Sequence, residues 1–420
     1  MEYTRAMLTE IMGLPGKGAY TMMARATTTR ATRTAVLTNR GAARARLGHP
    51  WIYRSDIADA AGDAGDVVRV VDRGGRFLGH AFYNPKSKIT LRITTREDEE
   101  INEAWFRNRI EKARTYRESL HIDANAYRLL HSEADGIPGL VADRYEDYFV
   151  LQVGSAAVEQ RLGLLVTTLQ DLFSPAGILL RGDSAARKRE GLATKVEALS
   201  GKVPDSVVVH EGPVRYRADL RGGQKTGGFL DQRENHLATA RHVERYSGAR
   251  VLDVFSYAGG FALHAARVAE TVEAVDASGP ALRAARKNAE LNGLSNIAFT
   301  RANAFDVLRE RSDAGIRFDA VILDPPAFAK TKRDLSGAGR AYKEINLRAM
   351  KLLAPGGTLV TCSCSYHFSR EIMEDTLRSA VADAGRTVRV REWRGQALDH
   401  PEILTIPETH YLKCAVLECP

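Results

Sequence analysis

An apolar segment that runs into a glycine turn reads Val251-Leu252-Asp253-Val254-Phe255-Ser256-Tyr257-Ala258-Gly259-Gly260. Its first half predicts a buried strand over Val251–Phe255, and the glycines let the backbone approach a ligand before a helix predicted over Phe261–Val268. From about Asp219 onward, strands and helices alternate in this way. The alternation predicts an α/β fold with a parallel, doubly wound sheet that binds ligands at the carboxyl ends of its strands.

The alternation continues toward the carboxyl terminus. After a strand over Thr271–Asp276 and a helix over Pro280–Asn292, further strands are predicted over Ile297–Phe299, Ala320–Asp324 and Thr358–Cys362. No internal repeat or extended low-complexity segment interrupts the pattern.

Two smaller units precede this region. Short β-rich runs such as Phe77–Tyr83 predict a small β-barrel, while the next part mixes strands such as Tyr148–Val153 with helices at Trp105–Tyr116 and Ala157–Phe173. We predict a disordered or extended tail over 1–33, the barrel over 34–100, a central α+β domain over 101–216 and the doubly wound domain over 217–420. A transit peptide, or a true start at Met22 or Met23, is an alternative for the tail.

Composition limits the class of protein. With 420 residues, 44% of them hydrophobic and 27% charged, the chain is typical of a multidomain globular protein. No apolar run approaches the roughly 18 residues that a membrane span needs, so we expect no membrane. All four cysteines follow residue 361, which favours a reducing cytoplasm over a disulfide framework.

The positive charge is concentrated at one end of the chain. Residues 1–96 hold 16 Lys plus Arg against 7 Asp plus Glu, a net of +9, whereas the remainder carries −1 of the total of +8. Such an asymmetry fits a region that binds a polyanion, although a solvated basic surface fits as well. The basic residues considered for phosphate contact are Arg44, Arg46, Arg54, Arg187, Lys188 and Arg189.

Acidic residues end two predicted strands near the glycine turn. Asp276 lies 23 residues after Asp253, at a position where an acid binds a ribose diol. The turn lacks the Gly-x-Gly-x-x-Gly pattern of dinucleotide sites, and Asp253 would repel a pyrophosphate but balance the ammonium of a methionine group. The pattern favours S-adenosylmethionine. The residues expected to contact the cofactor lie at or just after the carboxyl ends of these strands: Asp253, Phe255, Tyr257, Gly259, Asp276, Asn303 and Asp324.

A second informative segment is Leu323-Asp324-Pro325-Pro326-Ala327-Phe328. Its prolines fix two φ angles, so the Asp324 carboxylate and the Pro325 carbonyl can accept hydrogen bonds from a base amine or ring N–H. Phe328 can stack on that base, an interaction worth about 1–3 kcal/mol. By itself the turn fits methylation of a base amine as well as methylation of a ring carbon.

Cysteines at the end of the following strand favour the ring carbon. A thiolate that adds to C6 of a pyrimidine makes C5 nucleophilic, and the covalent step divides one hard reaction into two. Strand alternation puts Cys362 and Cys364 on one face, with Cys364 nearer the ligand edge. We predict Cys364 as the nucleophile and Cys362 as a buried residue. A zinc site that adds Cys414 and Cys419 is an alternative with poorly fitting spacing.

Four sequence blocks occur together: Gly227-Gly228-Phe229-Leu230-Asp231-Gln232-Arg233, Asp253 to Phe261, Asp324-Pro325-Pro326-Ala327-Phe328 and Thr361-Cys362-Ser363-Cys364-Ser365. Further blocks are Gly48-His49-Pro50-Trp51-Ile52-Tyr53, Glu190-Gly191-Leu192, His400-Pro401-Glu402 and Pro407 to Lys413. As a set they resemble the bacterial class I ribosomal RNA cytosine-C5 methyltransferases. The resemblance covers nearly everything after about residue 34.

The resemblance implies an N-terminal PUA domain, a central α+β domain and a Rossmann-like class I methyltransferase domain. It implies that Phe229, Gln232 and Arg233 flank S-adenosylmethionine, that Asp276 holds its ribose and that Cys364 is the nucleophile. The implied partner is large-subunit (23S) ribosomal RNA, and a homodimer is considered beside a monomer.

Two departures from the family pattern matter. Asn303 replaces an acid that is often found there, although its amide oxygen can still accept from the adenine amine. The second cysteine that some RNA cytosine methyltransferases carry in the Pro-Pro motif is absent, because Ala327 and Phe328 follow the prolines. The rival functions are methylation of a base amine, which would not need Cys364, and a non-catalytic RNA-binding factor of ribosome assembly.

Overall fold

The computed structural model describes residues 33–420. The tail predicted over 1–33 therefore lies outside the described residues, apart from Arg33. None of the helices in the described part of the chain combines the length and apolar character that crossing a bilayer demands.

The first unit is a six-stranded sheet with the order β2-β6-β5-β4-β1-β3. Its elements are β1 Thr34–Leu37, α1 Asn39–Arg46, β2 Trp51–Tyr53, β3 Ile57–Ala60, β4 Val67–Val71, β5 Phe77–Tyr83 and β6 Ile89–Thr95. In β4 all four valines are buried while Arg69 is partly exposed. Val68 and Val70 pack with residues such as Leu37, Ile52 and Leu91, which form the core of the unit.

The central unit is a five-stranded sheet, in the order β11-β10-β9-β8-β7, that is followed by the hairpin β12-β13. Its elements are α2 Glu103–Ser119, β7 Ala126–His131, β8 Leu140–Tyr145, β9 Tyr148–Val153, α3 Ala156–Gln160, α4 Leu162–Phe173, β10 Gly177–Gly182, α5 Ala185–Arg189, β11 Lys195–Gly201, β12 Ser206–Glu211 and β13 Val214–Asp219. The single helix predicted over Ala157–Phe173 is wrong. The chain divides at Arg161, whose side chain donates to the carbonyls of Ala157 and Gly65 at 2.9 and 3.0 Å.

The last unit is a seven-stranded sheet in the order β16-β15-β14-β17-β18-β20-β19. Its elements are α6 Arg233–Val243, β14 Arg250–Val254, α7 Gly260–Ala266, β15 Thr271–Asp276, α8 Gly279–Leu291, β16 Ile297–Arg301, α9 Ala304–Asp313, β17 Phe318–Leu323, α10 Leu335–Leu352, β18 Leu353–Ser363, α11 Arg370–Ala384, β19 Arg389–Arg394 and β20 Lys413–Cys419. The final strand inserts antiparallel between β18 and β19. This insertion distinguishes the sheet from the 3-2-1-4-5-6 order of dinucleotide-binding folds.

Helices cover both faces of this sheet, as its nearly continuous apolar strands require. On one face Val360, Cys362, Cys414 and Val416 pack against α6 and α7. On the other face Leu359, Ala415 and Leu417 pack with residues of α10 and α11. The predicted doubly wound α/β fold is therefore confirmed, with an antiparallel last strand that the sequence did not reveal.

A buried carboxylate joins the central unit to the seven-stranded sheet. The Asp399 carboxylate accepts two hydrogen bonds from Arg233, at 3.0 and 3.2 Å, and one from the backbone N–H of Arg128 at 2.8 Å. It also lies 2.9 Å from Nδ1 of His400. Burial opposes its ionisation, but the neighbouring His400 and Arg233 charges prevail and lower the pKa of Asp399 well below its usual range.

We expect Asp399→Asn to destabilise the protein by about 3 kcal/mol, because it removes the fully buried countercharge of the Arg233 guanidinium and leaves that group only Glu234. The urea midpoint of the variant should fall accordingly. Asp375→Asn removes an exposed carboxylate that pairs with exposed Arg378 and should change the free energy of unfolding by less than about 0.5 kcal/mol, with a correspondingly small shift of the midpoint. Equal midpoints for both variants would show that the buried ion pair contributes nothing.

Candidate active site

The residues predicted to bind ligands meet at the carboxyl edge of the seven-stranded sheet. Asp253 and Phe255 lie at the end of β14, Asp276 ends β15, and Asp324 follows β17 directly. Cys364 follows β18, which pairs in parallel with β17. Because parallel strands share one carboxyl edge, side chains that are far apart in the chain lie around one place.

The turn after β14 has an unusual backbone. Phe255 and Tyr257 have φ angles of +69° and +50°, and Gly259 has +91°. A positive φ costs a residue with a side chain on the order of 1 kcal/mol or more and is concentrated at functional sites. At Gly260, a Cβ would lie 2.6 Å from Cε1 of His236, so only glycine allows this close approach.

The Asp276 carboxylate is held in a fixed orientation by the turn. One of its oxygens accepts from the backbone N–H of Tyr257 at 2.9 Å, and the other accepts from that of Ser278 at 2.7 Å. Each oxygen keeps a lone pair for a further donor, as ribose hydroxyls would supply. The amide oxygen of Asn303 caps α9 by accepting from the N–H of Phe305 at 2.9 Å, and its predicted contact with the adenine amine stays a prediction.

Asp253 is fully buried, and only one of its oxygens has a partner. Ser256 donates to Oδ2 at 2.7 Å, while Oδ1 lies buried without a hydrogen bond in the described structure. Burial, assisted by the Asp324 charge, raises the pKa of Asp253 to about 7. A buried oxygen that lacks a donor suits a cationic or N–H-bearing group of a ligand.

Asp324 occupies the end of β17 as predicted and is partly buried. Burial, together with the Asp231 charge, raises the pKa of Asp324 to about 6, while the side chain of Gln232 hydrogen-bonds to it and opposes the shift. Pro325 is buried beside it. The ring of Phe328 packs 4.8 Å from that of Tyr342 within an aromatic cluster, which leaves it half-buried.

The two candidate thiols have different environments. Cys362 is fully buried and faces Cys414 across the strand pair, so that its hydrogen bond with this neighbour, together with burial, raises its pKa. Cys364 follows the end of the strand and is partly exposed. Burial and the charges of Asp324 and Asp231 raise the pKa of the Cys364 thiol, while Lys225 lowers it. Of the two, only Cys364 is accessible.

The residues before α6 divide into two groups. Phe229 is exposed, and its ring packs edge-on against Tyr257 with a centroid distance of 5.2 Å. Gln232 is buried and contacts Asp324 and Cys362. Arg233, by contrast, is buried, and its guanidinium donates hydrogen bonds to Asp399 and Glu234. Its contacts favour a structural role over the predicted contact with the cofactor.

Sequence reasoning missed a cluster at the mouth of the site. Lys225 pairs with Asp231, and its ammonium lies 4.8 Å from the ring centroid of Phe229. Tyr411 donates to the same carboxylate at 2.7 Å. The only signals were that Lys225 precedes the Gly227-Gly228 block and that Tyr411 lies in a block near the C-terminus. Neither signal indicates that the residues meet.

A buried cluster of Glu211, His236 and His264 is the one group in residues 33–420 whose donor atoms are close enough for a metal ion. Glu211 lies 2.7 Å from Nδ1 of His236 and 3.0 Å from Nε2 of His264. Two ligand atoms that each lie about 2.0–2.1 Å from a tetrahedral zinc ion would be about 3.3 Å from each other. The short contact favours a hydrogen-bonded ion pair, in which Glu211 raises the pKa of His236 although burial opposes it.

The zinc alternative for the cysteines is wrong. Cys414 lies opposite Cys362, but Cys419 lies opposite Gly357, five residues further along β20. Five residues of a strand span about 17 Å, which no single ion bridges.

Several basic residues considered for phosphate contact already have partners. Arg187 is almost fully buried and makes two hydrogen bonds of 2.7 Å to Glu159, so the expectation that it contacts phosphate is wrong. Arg46 pairs with Asp72, and Arg44 lies 3.4 Å from Asp56. Lys188 and Arg189 are exposed.

Comparison with known families gives two matches. The family described as "PUA-like domain" matches residues 35–96. The family described as "S-adenosylmethionine-dependent methyltransferase" matches residues 140–389. Two solved structures share the fold, each covering 92% of this chain and 99% of the other. One is a Streptococcus mutans protein described as a SAM-dependent methyltransferase, with a TM-score of 0.78 and 18% identity. The other is described as a methyltransferase complexed with SAH, with a TM-score of 0.80 and 19% identity.

The chain is therefore an S-adenosylmethionine-dependent methyltransferase with a Rossmann-like catalytic fold and an N-terminal PUA-like domain. Ribosomal RNA large subunit methyltransferase I of Klebsiella pneumoniae (strain 342) is 41% identical over 374 residues, 87% of this chain and 93% of the relative. The Vibrio cholerae El Tor protein of the same name is 41% identical over 385 residues, 89% and 96% of the two chains. The chain belongs to the ribosomal RNA large subunit methyltransferase I family, and the predicted cofactor is confirmed.

We expect S-adenosylmethionine to bind more weakly as the pH falls below about 7. Asp253 is protonated below its raised pKa of about 7, and the proton must leave before the carboxylate can balance the ammonium of the cofactor. Affinity should fall about tenfold per pH unit between pH 7 and 5.5 in calorimetric titrations.

The Asp253→Asn variant should bind S-adenosylmethionine weakly, and its affinity should not change between pH 7 and 5.5. Asp306→Asn, which changes an exposed carboxylate on α9, should retain the wild-type profile and serves as the control. A flat profile for the wild type would contradict the assigned role of Asp253.

Proposed function

We propose that this protein methylates C5 of a cytosine in large-subunit ribosomal RNA through a transient bond between Cys364 and C6. The observation that carries the proposal is a partly exposed thiol beside Asp324 at the carboxyl edge of a methyltransferase sheet. The names of the curated relatives support ribosomal RNA as the substrate. Methylation of a base amine needs no thiol there and leaves Cys364 without a role.

The proposed chemistry assigns separate tasks to two residues. The Cys364 thiolate adds to C6 of cytosine, which makes C5 nucleophilic toward the electrophilic methyl group that S-adenosylmethionine supplies. Transfer of the C5 proton to solvent water then expels the thiolate and restores the aromatic ring. The pKa of Asp324, raised to about 6, lies near the working pH. Its carboxyl group can therefore donate a proton to a ring nitrogen during the addition and take it back.

The same geometry suggests how the ligands are held. Asp276 would hold the ribose hydroxyls of S-adenosylmethionine, Asp253 would balance its ammonium, and Phe229 with Tyr257 would border it. The Pro325 carbonyl and the half-buried ring of Phe328 would receive the base. We propose that the PUA-like unit binds RNA in the cytoplasm, while association into a homodimer stays a prediction for light scattering to test.

We expect Cys364→Ala to abolish methyl transfer to large-subunit ribosomal RNA, because no covalent adduct can form. The measurement is transfer of labelled methyl groups, followed by mass mapping of the modified nucleoside. Cys362→Ala is the matched control, since it changes a fully buried thiol on the same strand and should retain most of the activity.

Two outcomes would overturn the proposal. Full activity of Cys364→Ala would remove the covalent mechanism, and a product methylated on an exocyclic amine would favour the base-amine alternative. Binding of S-adenosylmethionine by both variants, checked by calorimetry, shows that a loss of transfer is not a loss of folding.

A further inference from the structure

Two solvent-accessible aromatic side chains follow the proposed nucleophile. Tyr366 comes two residues after Cys364, in the turn between β18 and α11, and 43% of its surface is exposed. The neighbouring His367 is half-buried, and the two rings pack edge-on with a centroid distance of 5.2 Å. A single exposed tyrosine on a surface loop is ordinary, so the structure of this turn determines what the ring can do.

The turn is anchored on both sides of these two rings. Ser365 is buried, and its carbonyl accepts from Nζ of Lys413 at 2.7 Å and from the N–H of Phe368 at 3.1 Å. Phe368 is itself fully buried, and its ring stacks on that of Tyr342 with a centroid distance of 4.4 Å. The backbone of the turn is therefore fixed, while the Tyr366 ring stays open to solvent.

The Tyr366 side chain also borders the PUA-like unit. Burial, with the charges of Glu408 and of Tyr53 in β2, raises the pKa of Tyr366, as expected when these side chains lie close together. The Glu408 carboxylate in turn lies 3.1 Å from Nε2 of His49 in the PUA-like unit. The Arg44 guanidinium lies 5.1 Å from the ring centroid of Tyr53. Tyr366 thus stands beside both the thiol and the unit that we propose to bind RNA.

Attack on C6 requires access to the face of the cytosine ring. A base inside a stacked strand is closed on both faces, so enzymes that modify a base take it out of the stack. The nucleotide next to the extruded base then loses its stacking partner, and RNA-binding proteins replace such partners with aromatic side chains. Two residues of chain span at most about 7 Å, so the Tyr366 ring can reach a nucleotide beside the one that contacts Cys364.

We propose that Tyr366 stacks on an unpaired nucleotide adjacent to the target cytosine and so holds the RNA in the conformation that exposes C6 to Cys364. This role rests on the proposed function and assigns a further substrate-binding residue to it. The edge-on contact with His367 supports the ring from one side. Because the interaction uses the π-face of the ring, it does not require the Tyr366 hydroxyl.

The first test measures kcat/KM for methyl transfer to large-subunit ribosomal RNA by the full chain. Tyr366→Leu keeps an apolar side chain but removes the stacking face, and it should lower kcat/KM for RNA about 10- to 100-fold. The KM for S-adenosylmethionine should not change. Tyr366→Phe keeps the ring and should stay within about twofold of the wild type. Val390→Ala, which truncates an exposed side chain on the edge strand β19, is the control and should match the wild type.

A fluorescence titration tests the contact itself without methyl transfer. Tyr366→Trp should retain activity, and the emission of its added indole should be quenched when large-subunit ribosomal RNA is bound, because the indole stacks on a base. Val390→Trp adds an indole of similar exposure on β19 and should show no added quenching.

Three results would overturn the proposal: wild-type kcat/KM in Tyr366→Leu, an equal loss in Tyr366→Phe, or an unquenched indole in Tyr366→Trp. An equal loss in Tyr366→Phe would assign the effect to the hydroxyl. The two proposals fail separately. If Cys364→Ala is inactive while Tyr366→Leu matches the wild type, only the role of Tyr366 falls. If Cys364→Ala remains active while Tyr366→Leu is impaired and the indole is quenched, the covalent mechanism falls and the stacking contact stands.

Discussion

The structure depends on buried charged groups that are paired with one another, and most of these contacts meet at the Asp399 carboxylate. One fully buried side chain receives the Arg233 guanidinium, the backbone of Arg128 and the imidazole of His400. An ionised carboxylate without these partners would be several kcal/mol less stable in the interior. The central unit, α6 and the loop before β20 must therefore assemble together. That assembly sets the position of Lys225, Phe229 and Tyr411 around the reacting edge.

Within the edge, burial also adjusts the chemistry. Desolvation raises the pKa of Asp253 and of Asp324 toward neutrality and lowers that of Lys413 to about 8. Groups that are fully charged in water thereby become able to exchange protons near neutral pH. The same desolvation disfavours a thiolate at Cys364.

The predictions from sequence succeeded where local pattern carries the information. The strands over Phe77–Tyr83, Tyr148–Val153 and Thr271–Asp276 have the predicted bounds, because apolar runs and turn residues report strand ends directly. The helix over Ala157–Phe173 failed, since the break at Arg161 depends on a carbonyl of Gly65 in another unit. Arg187 was considered for phosphate contact because a sequence shows an arginine but not the acid that it pairs with, here Glu159.

The sequence by itself determined the class of fold, the cofactor and the set of residues at the carboxyl edge, because these follow from strand periodicity and from motifs within single segments. Tertiary structure alone decided which thiol is accessible, which arginines are committed to Asp399 and Glu159, and that the buried Lys413 amine bonds the carbonyl of Ser365. Such relations join residues up to 166 positions apart. Their energies depend on burial, which arises only when the separate units pack against one another.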